Sequence, residues 1–463
     1  VLIISDNNTK LSGRIDQESF AMGPTFSALE TLGWKLVKLQ DGHDLQACFD
    51  TIASAVEEAE KNPSTPIVIH ARTIKGIGTK KTAESSTGAH GFPLKSPSEL
   101  PDFIKEIVET SDLSIDHKAW IEELHKVEAD IKTRTVKPSV PEEKIQVVVS
   151  NAMIKNKKKG LPVVSVTSDL PGSTGVAGFR KEFPKDSFDV GVAESNMISA
   201  AAGFSKIGFI PVVDTFAQFG VTKGALPLTM GALSQAPVIA VFSHTGFQDA
   251  ADGASHQALT YLGMTMGIPH VNVIALSSSE EADALVTQAI EKFAEDRKAG
   301  RTPETTIFFL GRENFPKTYK AGLTYKLGEA QVLHESLKAK NVALVASGSM
   351  VPQALQAAAN LEKSGVGSIV IHASSHTHPD FKTIEQALAK TGGHLVTVED
   401  HQLLSGFGHR LVAELTERRN TLRVKMLGVR GEFGQSAYNA IELYQKHGLD
   451  AGGITRAALE LFQ

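Results

Sequence analysis

Short runs of branched apolar residues recur along the whole chain, each closed by Ser, Thr, Asp or Gly and followed by a helical stretch, and this alternation leaves few folds open. Pro162 to Val166 runs into Thr167-Ser168-Asp169-Leu170-Pro171-Gly172, and Ile210 to Asp214 into Thr215-Phe216-Ala217-Gln218-Phe219. Val238 to Phe242 runs into Ser243-His244-Thr245-Gly246. Continuous apolar runs mark strands buried on both faces, as in parallel sheets covered by helices. Parallel strands need crossover connections, and these are right-handed. The expectation is an α/β chain of mainly parallel sheets flanked by helices, with polar loop residues gathered at the carboxyl edge, where ligands bind.

At roughly 100 to 200 residues per domain, 463 residues make several domains. The first opens on a strand at Val1-Leu2-Ile3-Ile4. The run Gly23 to Leu32, ended by Gly33, predicts a helix, and Lys35 to Lys38 a strand. Asp44 is placed to cap a helix from Leu45 to Glu60, with Phe49, Ile52, Ala53 and Val56 spaced for one apolar face. Pro66 to His70 reads as another strand. A long polar stretch then leads through Lys75-Gly76-Ile77-Gly78 to His90-Gly91-Phe92-Pro93-Leu94; such loops are functional or disordered, so His90 is either a site residue or plain surface. Thr135 to Pro141 reads as a linker. The expected domains are residues 1–137, 138–325 and 326–463, the second beginning with a helix near Glu142.

In Phe188-Asp189-Val190-Gly191-Val192-Ala193-Glu194-Ser195-Asn196-Met197 the carboxylate of Glu194 follows the small, apolar Val190 to Ala193, and the run passes into an Ala-rich helix. A short buried strand before Glu194 and a helix after it put this side chain where strand turns to helix. There it acts either as an acid complementing the helix dipole or as a functional carboxylate.

A net charge of −5 without a basic stripe gives no footprint for nucleic acid. No apolar run approaches the roughly 18 residues that span a bilayer, and no leader pattern precedes the first strand. The single cysteine, Cys48, excludes a disulfide framework within the chain and a multi-cysteine metal site, and fits a reducing compartment, so a cytoplasmic location is expected. The opening reads as the middle of a sheet, and an upstream part of the first domain is expected to be missing or supplied by another chain. No nucleophile elbow, His-Glu-x-x-His helix or Gly-Lys-Ser phosphate loop occurs. Histidines, carboxylates and one arginine at strand ends can position and deprotonate a polyhydroxy substrate. They supply no electron sink for breaking a carbon–carbon bond, which is a cofactor's task.

Taken in order, Asp6-Asn7-Asn8, Asp41-Gly42-His43-Asp44, Lys75-Gly76-Ile77-Gly78, His90-Gly91-Phe92-Pro93-Leu94, Ser168-Asp169-Leu170, Ala193-Glu194-Ser195-Asn196-Met197, Thr215-Phe216-Ala217-Gln218-Phe219, Asp252-Gly253-Ala254-Ser255-His256-Gln257 and Gly311-Arg312-Glu313-Asn314 form a specific set. On these residues the chain resembles the thiamine-diphosphate-dependent transketolases from Val1 to its end. The resemblance implies two thiamine-diphosphate-binding folds, a diphosphate-binding and a pyrimidine-binding domain, followed by a transketolase C-terminal domain. It implies a transferase of carbohydrate metabolism, in the pentose phosphate pathway, moving a two-carbon ketol unit from a ketose (phosphate) to an aldose (phosphate) through an enamine of the cofactor. It also implies a homodimer with the cofactor at the subunit interface. Other readings within the superfamily are a 1-deoxyxylulose-phosphate synthase or a ketoacid dehydrogenase subunit; outside catalysis, a non-catalytic partner subunit.

By the same resemblance Glu194 bonds a ring nitrogen of the aminopyrimidine, Asp169 lies near its amino group, and Phe216 and Phe219 pack around the ring. Asn7 and the carbonyl of Thr9 ligate a divalent cation, Mg2+ or Ca2+. Asp252 reads a substrate hydroxyl, His256 the donor carbonyl oxygen and hydroxyls, and His244 and Arg312 grip a sugar phosphate. His90 matches the family's His-Gly-x-Pro-Leu histidine, so Glu194, His256 and His90 are the catalytic candidates. Two departures stand out. The opening Gly-Asp-Gly of the cation motif does not precede Asn7 in this chain, and Val147-Val148-Val149 stand where many relatives carry a phosphate-binding arginine. The first leaves the cation site incomplete, and the second weakens phosphate recognition.

Overall fold

A computed structural model describes residues 1–18, 22–90, 94, 97–110, 117–134 and 142–463. Gly91, Phe92 and Pro93 of the loop motif, and the expected linker Thr135 to Pro141, lie outside the described residues. The chain forms two compact units, Val1–Lys137 and Pro138–Gln463.

In the first unit β1 (Leu2–Asp6), β2 (Lys35–Leu39) and β3 (Ile67–Arg72) make a three-stranded parallel sheet in the order β1-β3-β2. The helix Gly23–Thr31 joins β1 to β2, and Leu45–Lys61 joins β2 to β3. Asp44 caps the second helix as expected, its carboxylate accepting from the Ala47 N–H at 3.0 Å. The apolar face read from the sequence does not meet the sheet. Ala47, Cys48, Ala55 and Ala59 pack against Ile67, Ile69 and Ala71, whereas Phe49 is 68% and Val56 44% exposed. Small side chains let the helix sit close to the sheet and turn the larger ones onto its flank.

The second unit carries two larger sheets. The strands β5 (Val163–Thr167), β6 (Ser187–Asp189), β7 (Ile210–Phe216), β8 (Ile239–Ser243), β9 (Val271–Ala275) and β10 (Thr305–Phe309) form a parallel sheet ordered β6-β5-β7-β8-β10-β9. Its inner strands are buried on both faces, as their mainly apolar runs require. Glu142–Lys144, expected to begin a helix, is instead strand β4, pairing antiparallel with β11 (Asn314–Pro316); the helix starts at Val147. That pairing is non-local and leaves no mark on the local pattern. The strand before Glu194 is not buried as expected, because β6 lies at the sheet's edge: Phe188 is 37% and Val192 64% exposed.

A five-stranded sheet completes the unit, ordered β12-β14-β13-β15-β16, from β12 (Gln331–Ser336), β13 (Asn341–Ala346), β14 (Gly367–His372), β15 (His394–Gln402) and β16 (Arg423–Val429), with β12 antiparallel. It is joined to the six-stranded sheet by polar contacts. His372 Nε2 meets both Glu281 carboxylate oxygens, at 2.8 and 3.0 Å, and the His376 N–H donates to the Val273 carbonyl at 2.8 Å. Among the described residues no helix is long and apolar enough to cross a membrane.

Glu399, fully buried on β15, accepts the backbone N–H groups of Phe407 (2.7 Å) and Gly408 (3.1 Å) at the start of helix Phe407–Glu417. Burial pushes its carboxyl up from 4.5 to about 8. The folded state therefore holds a proton that the unfolded chain releases near 4.5, so this group's contribution to stability falls as pH rises toward and through 8. Between pH 7 and 9 it removes on the order of 1 kcal/mol. Denaturant unfolding at the two pH values is expected to show this loss in the parent protein, and Glu399→Gln is expected to abolish that part of the slope.

Candidate active site

All strands of the six-stranded sheet run the same way, so their carboxyl ends share one edge, and the loops leaving that edge carry most of the expected site residues. Asp169 follows β5, Glu194 follows β6, Phe216 ends β7, His244 follows β8 and Arg312 follows β10. Asp169 and His244 hold left-handed backbone, with φ of 65° and 63°. This conformation strains a residue with a Cβ and clusters where function over-determines it.

Around β7 and β8 the rings converge. Phe216 stacks on His244 with centroids 3.9 Å apart, and Phe219 meets His256 edge-on at 5.1 Å. Phe216 lies 6.3 Å from Phe219 and 6.4 Å from His256. Two residues of the motif after β7 and two histidines of the loop after β8 thus form one aromatic wall. His244 is buried, with Nδ1 2.7 Å from Ser243 Oγ. Burial, reinforced by the Arg312 cation, pushes its imidazole down to about 3, so it is neutral at pH 7. His256 is half-buried, with Nδ1 3.0 Å from Ser255 Oγ.

Arg312 is not open to solvent on all sides. Its Nη1 donates to the Asp249 carboxylate and, at 3.3 Å, to Asp252 Oδ2. Asp249 is fully buried, and burial pushes its carboxyl up to about 7 against the pull of Arg312. Its second oxygen has no partner among the described residues. Neither this clamp nor Asp214, buried at the end of β7 and accepting from Thr167 Oγ1 (2.7 Å) and Thr174 Oγ1 (2.6 Å), was singled out from the sequence. Both pairings join residues far apart in the chain, so no local spacing announces them.

Glu194 opens helix Glu194–Lys206, is only 7% exposed, and has no hydrogen-bond or ion-pair partner among the described residues. A carboxylate set in a largely covered side chain, with its oxygens unclaimed by the described residues, is open to a polar ligand edge. With the flat walls of Phe216 and Phe219, it suits an aminopyrimidine ring, which offers both a stacking face and a polar edge.

In the first unit Asn7 Oδ1 accepts from the Thr9 N–H at 2.9 Å, and Thr9 Oγ1 donates to the Asn7 carbonyl at 3.0 Å. Arg14 ties this turn to the Ser85 carbonyl at 2.8 Å, and His90 Nδ1 lies 3.1 Å from Lys75 Nζ. The neighbouring carboxylate, Asp6, is engaged by His70 (2.8 Å) and Arg72 (2.6 Å). A hard divalent cation takes six or more oxygens, usually including carboxylates. Among the described residues no cluster of three or more His, Cys, Asp or Glu offers such a set, so the residues present do not complete a cation site.

The loop from His244 to Gln257 is fixed by residues of the C-terminal segment. Gln248 Nε2 donates to the Tyr444 hydroxyl (2.9 Å), Gln257 Nε2 to the Gln435 carbonyl (2.8 Å), and the Ala437 N–H to the Ala250 carbonyl (3.0 Å). Gly246 adopts φ 57°, and a Cβ there would overlap the Asp400 carboxylate on β15. Gly246→Ala is expected to destabilise the fold by about 2 kcal/mol or more in denaturant titrations, and combination with Asp400→Ala to recover part of the loss by relieving the clash.

Family models match the chain in three blocks: the transketolase thiamine diphosphate binding domain at residues 1–106, the pyrimidine binding domain at 144–316 and the C-terminal domain at 328–454. Human transketolase-like protein 2 is 30% identical over 414 residues, 87% of this chain. The 1-deoxy-D-xylulose-5-phosphate synthase of Syntrophus aciditrophicus is 26% identical over 455 residues, 98% of this chain. The chain spans 62% of the length of each of these relatives. Among solved structures, a split-gene transketolase described as an inactive β4 tetramer superposes with a TM-score of 0.60 at 28% identity, covering 69% of this chain and 98% of that one. Ordered motifs, sheet architecture and sequence likeness thus converge on one conclusion: the chain belongs to the transketolase family.

Proposed function

We propose that the protein is a thiamine-diphosphate-dependent transferase that moves a two-carbon ketol unit from a ketose to an aldose. The observation that carries this reading is that one parallel sheet delivers at its carboxyl edge both Glu194, 7% exposed and with no partner for its carboxylate among the described residues, and the ring pair Phe216–Phe219. Thiamine diphosphate supplies the electron sink for cleaving a carbon–carbon bond, which no side chain here can provide.

Each residue then has a task set by its chemistry. Glu194 holds the polar edge of the pyrimidine and shares a proton with a ring nitrogen. Asp169 accepts from the ring's amino group, and the two phenylalanines exclude water from its faces. His256 bonds the donor's oxygens and moves protons on them, His90 is a second candidate for proton transfer, and Asp252 accepts from a substrate hydroxyl. His244 and Arg312 line the far end of the substrate, His244 as a neutral ring. Asn7 and the Thr9 carbonyl would be oxygen ligands of a cation whose remaining ligands these residues do not supply, so no step is assigned to it. The working form in this reading is a homodimer with the cofactor between subunits. The likeness to 1-deoxy-D-xylulose-5-phosphate synthases keeps a second reading open, in which the same carboxylate serves a ketoacid donor. The histidines His244 and His256 on the aromatic wall favour a sugar ketol.

Glu194→Gln is expected to lower ketol transfer between sugars by at least about 100-fold while leaving circular dichroism and the unfolding midpoint unchanged. Turnover near the parent's would remove Glu194 from the reaction. Calorimetric titration of the parent with thiamine diphosphate and Mg2+ separates an enzyme from a non-catalytic subunit, for which no binding heat is expected.

A further inference from the structure

The sharpest anomaly in the second unit is that Arg312, the arginine after β10, is already engaged by acidic side chains. Arg312, 27% exposed, points Nη1 at Asp249, whose side chain is completely buried, and at Asp252 at 3.3 Å. Asp249 cannot easily swing away. Its carbonyl accepts from the Gly253 N–H (3.3 Å) and Gln257 Nε2 (3.4 Å). On one side Gln248 is tied to Tyr444 (2.9 Å) and to the Glu313 N–H (2.9 Å), and on the other Ala250 is tied to Ala437 (3.0 Å). The carboxylate is thus held in place by backbone, and the guanidinium is held by the carboxylate.

Besides Arg312, the cation near this end is Lys144 on β4, which acts on His244 from a distance and pairs through its backbone with Asn314. His244 is buried, stacked on Phe216 and uncharged at neutral pH. The helix Val147–Lys158 opens on Val147, Val148 and Val149 rather than a cation, and the residue before it, Gln146, spends its amide on the Gly311 carbonyl at 2.6 Å. A phosphate ester is best held by a guanidinium fork offering two free N–H groups. Here Nη2 and Nε keep N–H groups free of any partner among the described residues, but a phosphate reaching them would meet Asp249 and Asp252, both drawn to Nη1 of the same guanidinium. Like charges placed together are how sites reject a wrong ligand.

We propose that Asp249 is a positioning residue that sets substrate choice: by holding Arg312 it makes the site favour ketoses whose far end is uncharged over their phosphate esters. This rests on the ketol-transfer reading for the identity of the sugar, but the Asp249–Arg312 clamp itself does not.

The test uses the full chain and needs no turnover. Binding of inorganic phosphate, D-xylulose and D-xylulose 5-phosphate is measured by calorimetry for the parent, Asp249→Asn, Arg312→Gln and the double variant. The parent is expected to bind the two sugars within about threefold of each other, and Asp249→Asn to tighten inorganic phosphate and the phosphate ester by on the order of tenfold while leaving D-xylulose unchanged. That gain is expected to vanish in the double variant, a coupling that a merely structural role of Asp249 would not produce. A parent that prefers the ester by tenfold or more overturns the proposal. So does an Asp249→Asn protein, folded by circular dichroism, whose affinity for inorganic phosphate is unchanged or undetectable. Ketol transfer assayed in parallel with both donors separates the two claims: no transfer from either, with the phosphate response intact, defeats the ketol reading and spares the clamp.

Discussion

The register of β5, β7 and β8 is the constraint on which the site depends. Thr167 pairs with Asp214, Thr215 with Phe242, and Phe216 with Ser243, so residues that close three strands arrive at one level. A slip of one residue would turn every side chain to the opposite face and carry Phe216 away from His244. The register is reinforced where it matters. Thr167 and Thr174 both donate to one oxygen of Asp214, whose other oxygen has no partner among the described residues and whose carboxyl burial pushes up to about 6. Two hydroxyls thereby lock β5, the turn after it and β7 together, and the aromatic wall stands on that joint.

The five-stranded sheet contributes to the site without carrying any of the proposed catalytic groups. It supplies Asp400 against Gly246, and the chain beyond it supplies Tyr444 against Gln248 and Gln435 against Gln257. These contacts fix the loop that presents His244, Asp252 and His256. They also fix Asp249, and so decide how much of Arg312 is left for a ligand. The chemistry of one layer is therefore tuned by the packing of the next, because a buried carboxylate held by backbone cannot move aside at low cost.

Much of this was legible in advance, and the reasons are local. Unbroken apolar runs such as Val238 to Phe242 declare inner parallel strands, and Asp44 declares the helix it caps. Glu194 is marked by following the small, apolar Val190 to Ala193. What could not be read has non-local causes. The exposure of Phe49 and Val56 results from which flank of helix Leu45–Lys61 the small residues turn to the sheet. Strand β4 exists only because Asn314–Pro316 returns to pair with it. Phe188 and Val192 are exposed because β6 falls at an edge, and strand order is not a property of any one strand.

The sequence by itself determined the class of fold, the order of its elements, the family and the set of polar residues delivered to strand ends, because periodicity, caps and ordered motifs are encoded within a few residues of one another. Only the tertiary structure decided how those residues are used. It left Glu194 buried without a partner, and it laid Phe216 on His244. It brought Asp249 against Arg312 across 63 positions of chain. Burial and charge pairing between distant segments set which groups are charged and which are free, and no local pattern carries that information.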